Sequence, residues 1–164
     1  MYDVYLKATL LQAPEISDLV QAVPSLIDPA LQRRIVSRSC VPGALGLELS
    51  KEMARRLLER FIAAGSEGYY FPASYHHPPL SSEEALSIAT DAIEKEHSMY
   101  DPTDTIGPVF FHDDYPCYWE FGAHSERMTK EGRVPNGHFV LVDKLDGHLW
   151  QNEELTRLVK GERF

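Results

Sequence analysis

Histidines and carboxylates are the residues of this chain whose types and spacing first suggest chemistry. Of seven histidines, His76-His77 stand side by side, and His112-Asp113-Asp114 sets an imidazole next to two carboxylates, a donor set suited to a divalent metal. His97, His124, His138 and His148 are isolated along the chain. Zinc sites usually draw on histidines four apart on a helix or on paired cysteines, and neither spacing occurs. Cys117 lies between His112 and His124, but a thiol nucleophile needs a base within hydrogen-bond reach and a third group to orient it. The ordinary reading is a small semi-buried thiol beside Trp119. GxSxG, P-loop, GxGxxG and HExxH motifs are absent. The expectation is therefore a protein that is not an enzyme and holds neither metal nor cofactor. The alternative is a small metal-dependent hydrolase built on His112, Asp113 and Asp114, with help from His76 or His77.

A second constellation suits recognition better than reaction. Asp113, Asp114, Glu120, Glu126 and Glu131 fall close to Tyr115, Tyr118 and Trp119. Interfaces often join aromatic anchors, which give affinity, to complementary charge, which gives rate and selectivity. Asp113, Asp114, Tyr115, Glu120, Glu126 and Glu131 are thus the partner-binding candidates; the competing reading packs the rings in the core and leaves the acids solvated. Charge sharpens the point. The formal net charge is −9, yet residues 1–79 carry 8 Lys or Arg against 8 Asp or Glu, and residues 80–164 carry 8 against 17. Such an excess repels nucleic acid and steers a basic protein partner inward.

The elements that must position these residues follow from periodicity. Tyr2–Leu11 alternates Val4, Leu6 and Ala8 with Asp3, Tyr5 and Lys7, as in a strand with one polar face. Helices are expected after Ala13-Pro14-Glu15 and after Asp28-Pro29. Cys40–Gly46 reads as a loop. Ser50 caps a third helix that carries Met53, Ala54, Leu57, Leu58, Phe61 and Ile62 on one face and stops at Gly65, and Gly68–Phe71 is a strand. Three prolines in Pro72–Pro79 suggest a linker over residues 74–80.

Beyond it, Ser81-Ser82-Glu83-Glu84 is a capping box that opens a helix reaching about His97. Strands follow at Val109–Phe111 and around Trp119. The organising stretch is Tyr118–Trp150, where Phe139–Val142 reads as a strand buried on both faces and Asp146-Gly147 as the turn into another strand. Residues 152–159 add a helical turn or two. The fold class is α+β in two small units, residues 1–73 and 81–164, the second a helix packed on an antiparallel sheet. At 164 residues, 43% of them hydrophobic, the chain can bury a core, and no apolar run approaches the roughly 18 residues of a membrane span. With no secretion signal at Met1-Tyr2-Asp3-Val4, a cytoplasmic location is expected.

Two resemblances add to this reading. Within residues 41–73, Leu49-Ser50-Lys51-Glu52-Met53-Ala54, Leu57 and Ala64-Gly65 resemble the C-terminal domain of the ribosomal stalk protein and its adaptor relatives, which bind other proteins. Residues 81–152, through Trp119, Asn136-Gly137, Val142-Asp143 and Gly147 after an Ala-bearing helix, resemble the small cystatin-like or PepSY-like domains, and among them the immunity protein 35 family of bacterial polymorphic toxin systems. The second resemblance implies a cystatin-like second unit and an immunity protein that neutralises a toxin by direct binding. The first implies only that the segment binds other proteins; a third reading, made from the residues, is an adaptor module in which the Ser50–Gly65 helix docks onto another chain with the help of Arg55, Arg56 and Arg60.

Overall fold

A computed structural model describes residues 1–7, 43–97, 106–112, 115–125, 130 and 139–164; for 96–97, 106–112 and 123–125 the description is of the backbone. The expected helices after Pro14 and Pro29 lie outside these residues. The fold is α+β, and it divides into two compact units, Met1–His77 with Asn152–Phe164, and Pro78–Gln151.

In the first unit, β1 (Tyr2–Leu6) pairs antiparallel with β2 (Gly68–Pro72), with Val4 opposite Tyr70. On its other side β1 is bridged by Ala44 and Leu49 from an irregular segment. Between the strands runs α1 (Lys51–Ala63), begun by the Ser50 hydroxyl, which accepts from the Met53 N–H. Its Ala54, Leu57, Leu58 and Phe61 follow helical spacing and close a core with Val4, Leu6, Leu47, Leu49 and Tyr70. The expected alternation of β1 is overturned: Asp3 and Tyr5 are buried as well as Val4 and Leu6. On the second face Tyr5 meets Tyr69 and Asp3 lies beside His76, which contacts Phe71, while the segment 43–49 covers the open edge of β1.

Asp3 makes that covering possible. Its carboxylate, fully buried, accepts from the N–H groups of Val4 (2.7 Å), Gly46 (2.8 Å) and Leu47 (2.9 Å). Those donors belong to backbone that no sheet or helix satisfies, so the aspartate supplies the acceptors a ladder would have provided. His76 Nε2 lies 3.0 Å from Asp3 Oδ2, at ion-pair distance but outside hydrogen-bond alignment.

The division differs from the sequence expectation in two places. Residues 73–76 form a 3-10 turn and Tyr75 is buried against the Phe164 ring, so the proline-rich stretch is anchored in the first unit rather than serving as a linker over 74–80. The last helix, α3 (Asn152–Val159), packs on β2 and also belongs to the first unit, not to a unit of residues 81–164. Leu158 is buried, and the Tyr70 hydroxyl donates to the carbonyls of Gly161 (2.7 Å) and Phe164 (3.3 Å). Burial of that ring pushes the phenol pKa up.

The second unit is α2 (Ser82–His97) on a three-stranded antiparallel sheet, β3 (Ile106–His112), β4 (Tyr118–Ser125) and β5 (Phe139–Asp143), in the order β3-β4-β5. The capping box forms as expected: Ser81 N–H and hydroxyl donate to Glu84, and Glu84 N–H returns to the Ser81 hydroxyl. That backbone donor holds the exposed Glu84 carboxyl below its ordinary pKa. Ala85, Ala89 and Ile93, four apart, press on Phe121, Val140 and Val142, while Leu86 is exposed.

Two stability measurements test these assignments. Leu158→Ala should cost the first unit about 2–4 kcal/mol while amide exchange in β4 and β5 stays unchanged; equal loosening of both units would refute the assignment of α3. Asp3→Ala should cost about 3–5 kcal/mol, because it strands three buried donors, and a urea midpoint within error of the parent would show that the segment 43–49 does not need the carboxylate.

Candidate functional site

The expected sites divide sharply between described and undescribed residues. Asp113, Asp114, Glu126 and Glu131 lie outside the described residues, and His112 is described only as the last backbone position of β3. Tyr115 and Glu120 are described, and both are half-buried. Tyr115 stacks on Tyr118 (centroids 4.9 Å apart), Tyr118 meets Trp150 at 5.3 Å, and Trp150 lies parallel to the His148 ring at 6.0 Å. An aromatic column therefore runs along one end of the sheet. Tyr118 itself is buried, so it acts as the base of the column rather than as an exposed anchor.

The turn after β5 holds the densest group of potential donors, which the sequence reading treated only as a hairpin. Asp143 is buried; its Oδ1 accepts from Leu145 N–H (2.7 Å) and Asp146 N–H (3.4 Å), and its Oδ2 from the Trp150 indole (2.9 Å). Asp146 Oδ1 accepts the His148 N–H (3.0 Å) and lies 2.6 Å from His148 Nδ1. These three side chains bring ligand-type atoms within 4.8 Å of one another. The atoms are nevertheless turned on the chain itself, each carboxylate receiving turn N–H groups as an aspartate does in an Asx turn. A cation would have to displace the His148–Asp146 contact and compete with the indole. The group is better described as the lock of the turn than as a metal centre.

The lock changes the expected hairpin in three ways. The loop is Lys144–Gly147, closed by Asp143 N–H to the His148 carbonyl and by Gly147 N–H to the Asp143 carbonyl, so Asp146-Gly147 forms only its end. The returning chain makes a single bridge, Val142 to Leu149, rather than a full strand, because the next residue, Trp150, swings its indole back to Asp143. And β5 is not buried on both faces: Phe139 is 44% exposed and Leu141 half-buried. Gly147 does have the expected positive φ, +76°, and a Cβ there would stand 2.9 Å from Ile88 on α2.

Beside the lock, Lys144 is buried with its Nζ 4.0 Å from the centroid of the half-buried Trp119. A desolvated ammonium gains from the negative face of an indole, which helps explain why Trp119 stands at this point of the core. Cys117 is buried and reduced, and its carbonyl accepts from Lys144 N–H; the expectation of a packed thiol agrees with that position. In the first unit, Arg55 and Arg56 are engaged by Glu52, and Arg55 also by Glu59. Hydrogen bonds from Arg55 and then Arg56 lower the Glu52 pKa, and these exposed pairs leave two of the three adaptor arginines already committed within the helix.

Sequence reasoning missed Asp143, His148 and Asp3, although one signal was present: an aspartate directly before a glycine-closed loop is a common acceptor for loop N–H groups. No protein family model, curated protein or solved structure matches this chain. No helix among the described residues is long and apolar enough to cross a membrane.

The lock itself is testable. Asp143→Ala should cost about 2–4 kcal/mol, since it orphans turn donors and the indole, and should move the Trp150 indole N–H resonance. Asp146→Ala, on an exposed side chain, should stay within about 1 kcal/mol. If the two variants lose equal stability, Asp143 is not the centre of the turn.

Proposed function

We propose that this chain is a non-enzymatic binding protein whose second unit docks onto a basic protein, and that its particular role is immunity, neutralising a toxin by occupying it. The observation that carries this reading is the segregation of charge. Counted over the two compact units, the first holds 11 Lys or Arg and 11 Asp or Glu, whereas Pro78–Gln151 holds 5 against 14. The entire net charge of −9 thus belongs to one 74-residue unit. The sequence halves have the same net charges, because α3 and the residues after it are charge-balanced and fold with the first unit. Self-repulsion of that size costs stability, and a binding surface for a cationic partner is a physical reason to retain it. The immunity role is the form of this reading that the resemblance of residues 81–152 suggests.

The alternative, a metal-dependent hydrolase on His112, Asp113 and Asp114, concerns side chains outside the described residues. The donors that the described residues bring together, Asp143, Asp146 and His148, are held by one another and by backbone N–H groups.

Co-expression with candidate toxins from the same genome provides the test. Growth should be rescued from at least one basic toxin, and the association rate of the purified pair should fall about tenfold or more between roughly 50 and 500 mM salt, as expected for steered encounter. Absence of any rescue, or a rate indifferent to salt, would remove the proposal.

A further inference from the structure

We infer that the partner is received on the outward side of α2, along a row of acids flanked by Leu86, and that it brings there a basic segment with an apolar side chain among its Lys or Arg. This rests on the reading above and names the surface that performs it.

Helical spacing defines the row. Glu83, Ser87, Asp91 and Glu94 follow one another at intervals of four, four and three, so they lie on one side of α2, and all are exposed. From Glu83 to Glu94 the row is about 16 Å long. The opposite side of the helix is committed to the sheet through Ala85, Ala89 and Ile93. The two flanks differ. On one, Ile88 is half-buried, with Gly147 of the loop after β5 against it. On the other, Leu86 is 41% exposed, beside Glu83 and Thr90 by the same spacing.

Helix stability does not account for these charges. Glu83 and Glu84 occupy the first turn, where the helix dipole favours acids, and Glu84 closes the capping box. Asp91 and Glu94 have no such role. Both lie in the second half of the helix, where Glu94 has the sign that the last turn disfavours, and at a spacing of three they repel each other. Among the described residues, no ion pair engages Glu83, Asp91 or Glu94. On α1 the acids are neutralised within the helix, Glu52 by Arg55 and Arg56 and Glu59 by Arg55. Residues 82–97 instead set five acids against the one base Lys95.

That contrast selects the occupant. Cations of a partner relieve the repulsion along the row, and an apolar side chain beside them covers Leu86. A second copy of the chain would place the same acids against each other, and nucleic acid would add its own negative charge.

The test uses the full chain, labelled with nitrogen-15, and three synthetic dodecapeptides patterned at helical spacing with Lys and Leu, with Lys and Gln, or with Glu and Leu. The Lys–Leu peptide should shift the amides of Glu83–Glu94 more than those of β4 and β5 and bind about fivefold tighter than the Lys–Gln peptide, with the Glu–Leu peptide weakest. Asp91→Lys should raise the Kd of the Lys–Leu peptide about tenfold and at the same time raise the urea midpoint of the free chain, because a repulsion with Glu94 becomes an attraction. Acids retained for solubility alone would give the second effect without the first. Glu153→Lys, the same charge change on exposed α3 of the first unit, should raise the Kd less than about threefold. Leu86→Ser should raise it about threefold. Because Asp91 is exposed, its replacement should leave the amide spectrum dispersed; Asp91→Asn provides a milder second variant with the same predicted direction in both measurements. Shifts centred on β4 and β5, equal binding of the two lysine peptides, or an effect of Asp91→Lys no larger than that of Glu153→Lys would overturn this surface while leaving the binding of a basic toxin intact. Absence of toxin rescue by the wild-type chain would instead overturn the reading beneath it.

Discussion

A buried carboxylate surrounded by backbone N–H donors is the interaction on which each half of this protein depends. Asp3 binds the irregular segment 43–47 to β1, and Asp143 binds the loop 144–147 and Trp150 to β5. At Asp143 the chain leaves β5, and at Asp3 an irregular segment runs beside β1; in both places peptide groups are buried without a full ladder to pair them. Water cannot reach these positions, so an acceptor must come from a side chain, and a carboxylate with two oxygens can serve several donors at once. Ionised carboxylates are costly to bury, and several short N–H contacts offset that cost here.

The rest of each unit is arranged around these points. In the first, securing segment 43–49 along the edge of β1 brings Leu47 and Leu49 into the core that α1 closes through Ala54, Leu57, Leu58 and Phe61. In the second, the lock at Asp143 sets Trp150 against Tyr118 and leaves Lys144 over Trp119. The upper end of the sheet is therefore closed by aromatic packing. On the same face Leu141 is half-buried and Phe139 exposed.

Charge and chemistry point the same way. Several of the described acidic residues hold turns, caps and helix-surface pairs: Asp143 and Asp146 in the loop, Glu84 in the capping box, Glu52 with its two arginines. Groups committed in this manner make a stable scaffold.

Much of the local structure was legible from the residues alone, because its causes are local. Ser50 and the Ser81–Glu84 box began their helices where capping chemistry requires, the apolar spacing after Lys51 gave the buried stripe, and Gly147 took the positive φ of its turn. The charge excess and its confinement were also plain: residues 1–79 balance, and assigning the charge-neutral α3 to the first unit leaves the whole −9 on the second. What tertiary structure alone decided were the contacts between residues distant in sequence. Asp3 reads as the polar member of an alternating strand, and only the arrival of residues 46 and 47 makes it a core acceptor. Likewise Trp150 reads as the start of a strand until Asp143 draws its indole back. Helix caps and turns follow from neighbours within four residues, whereas burial of a polar group depends on which remote segment covers it, and no periodicity records that.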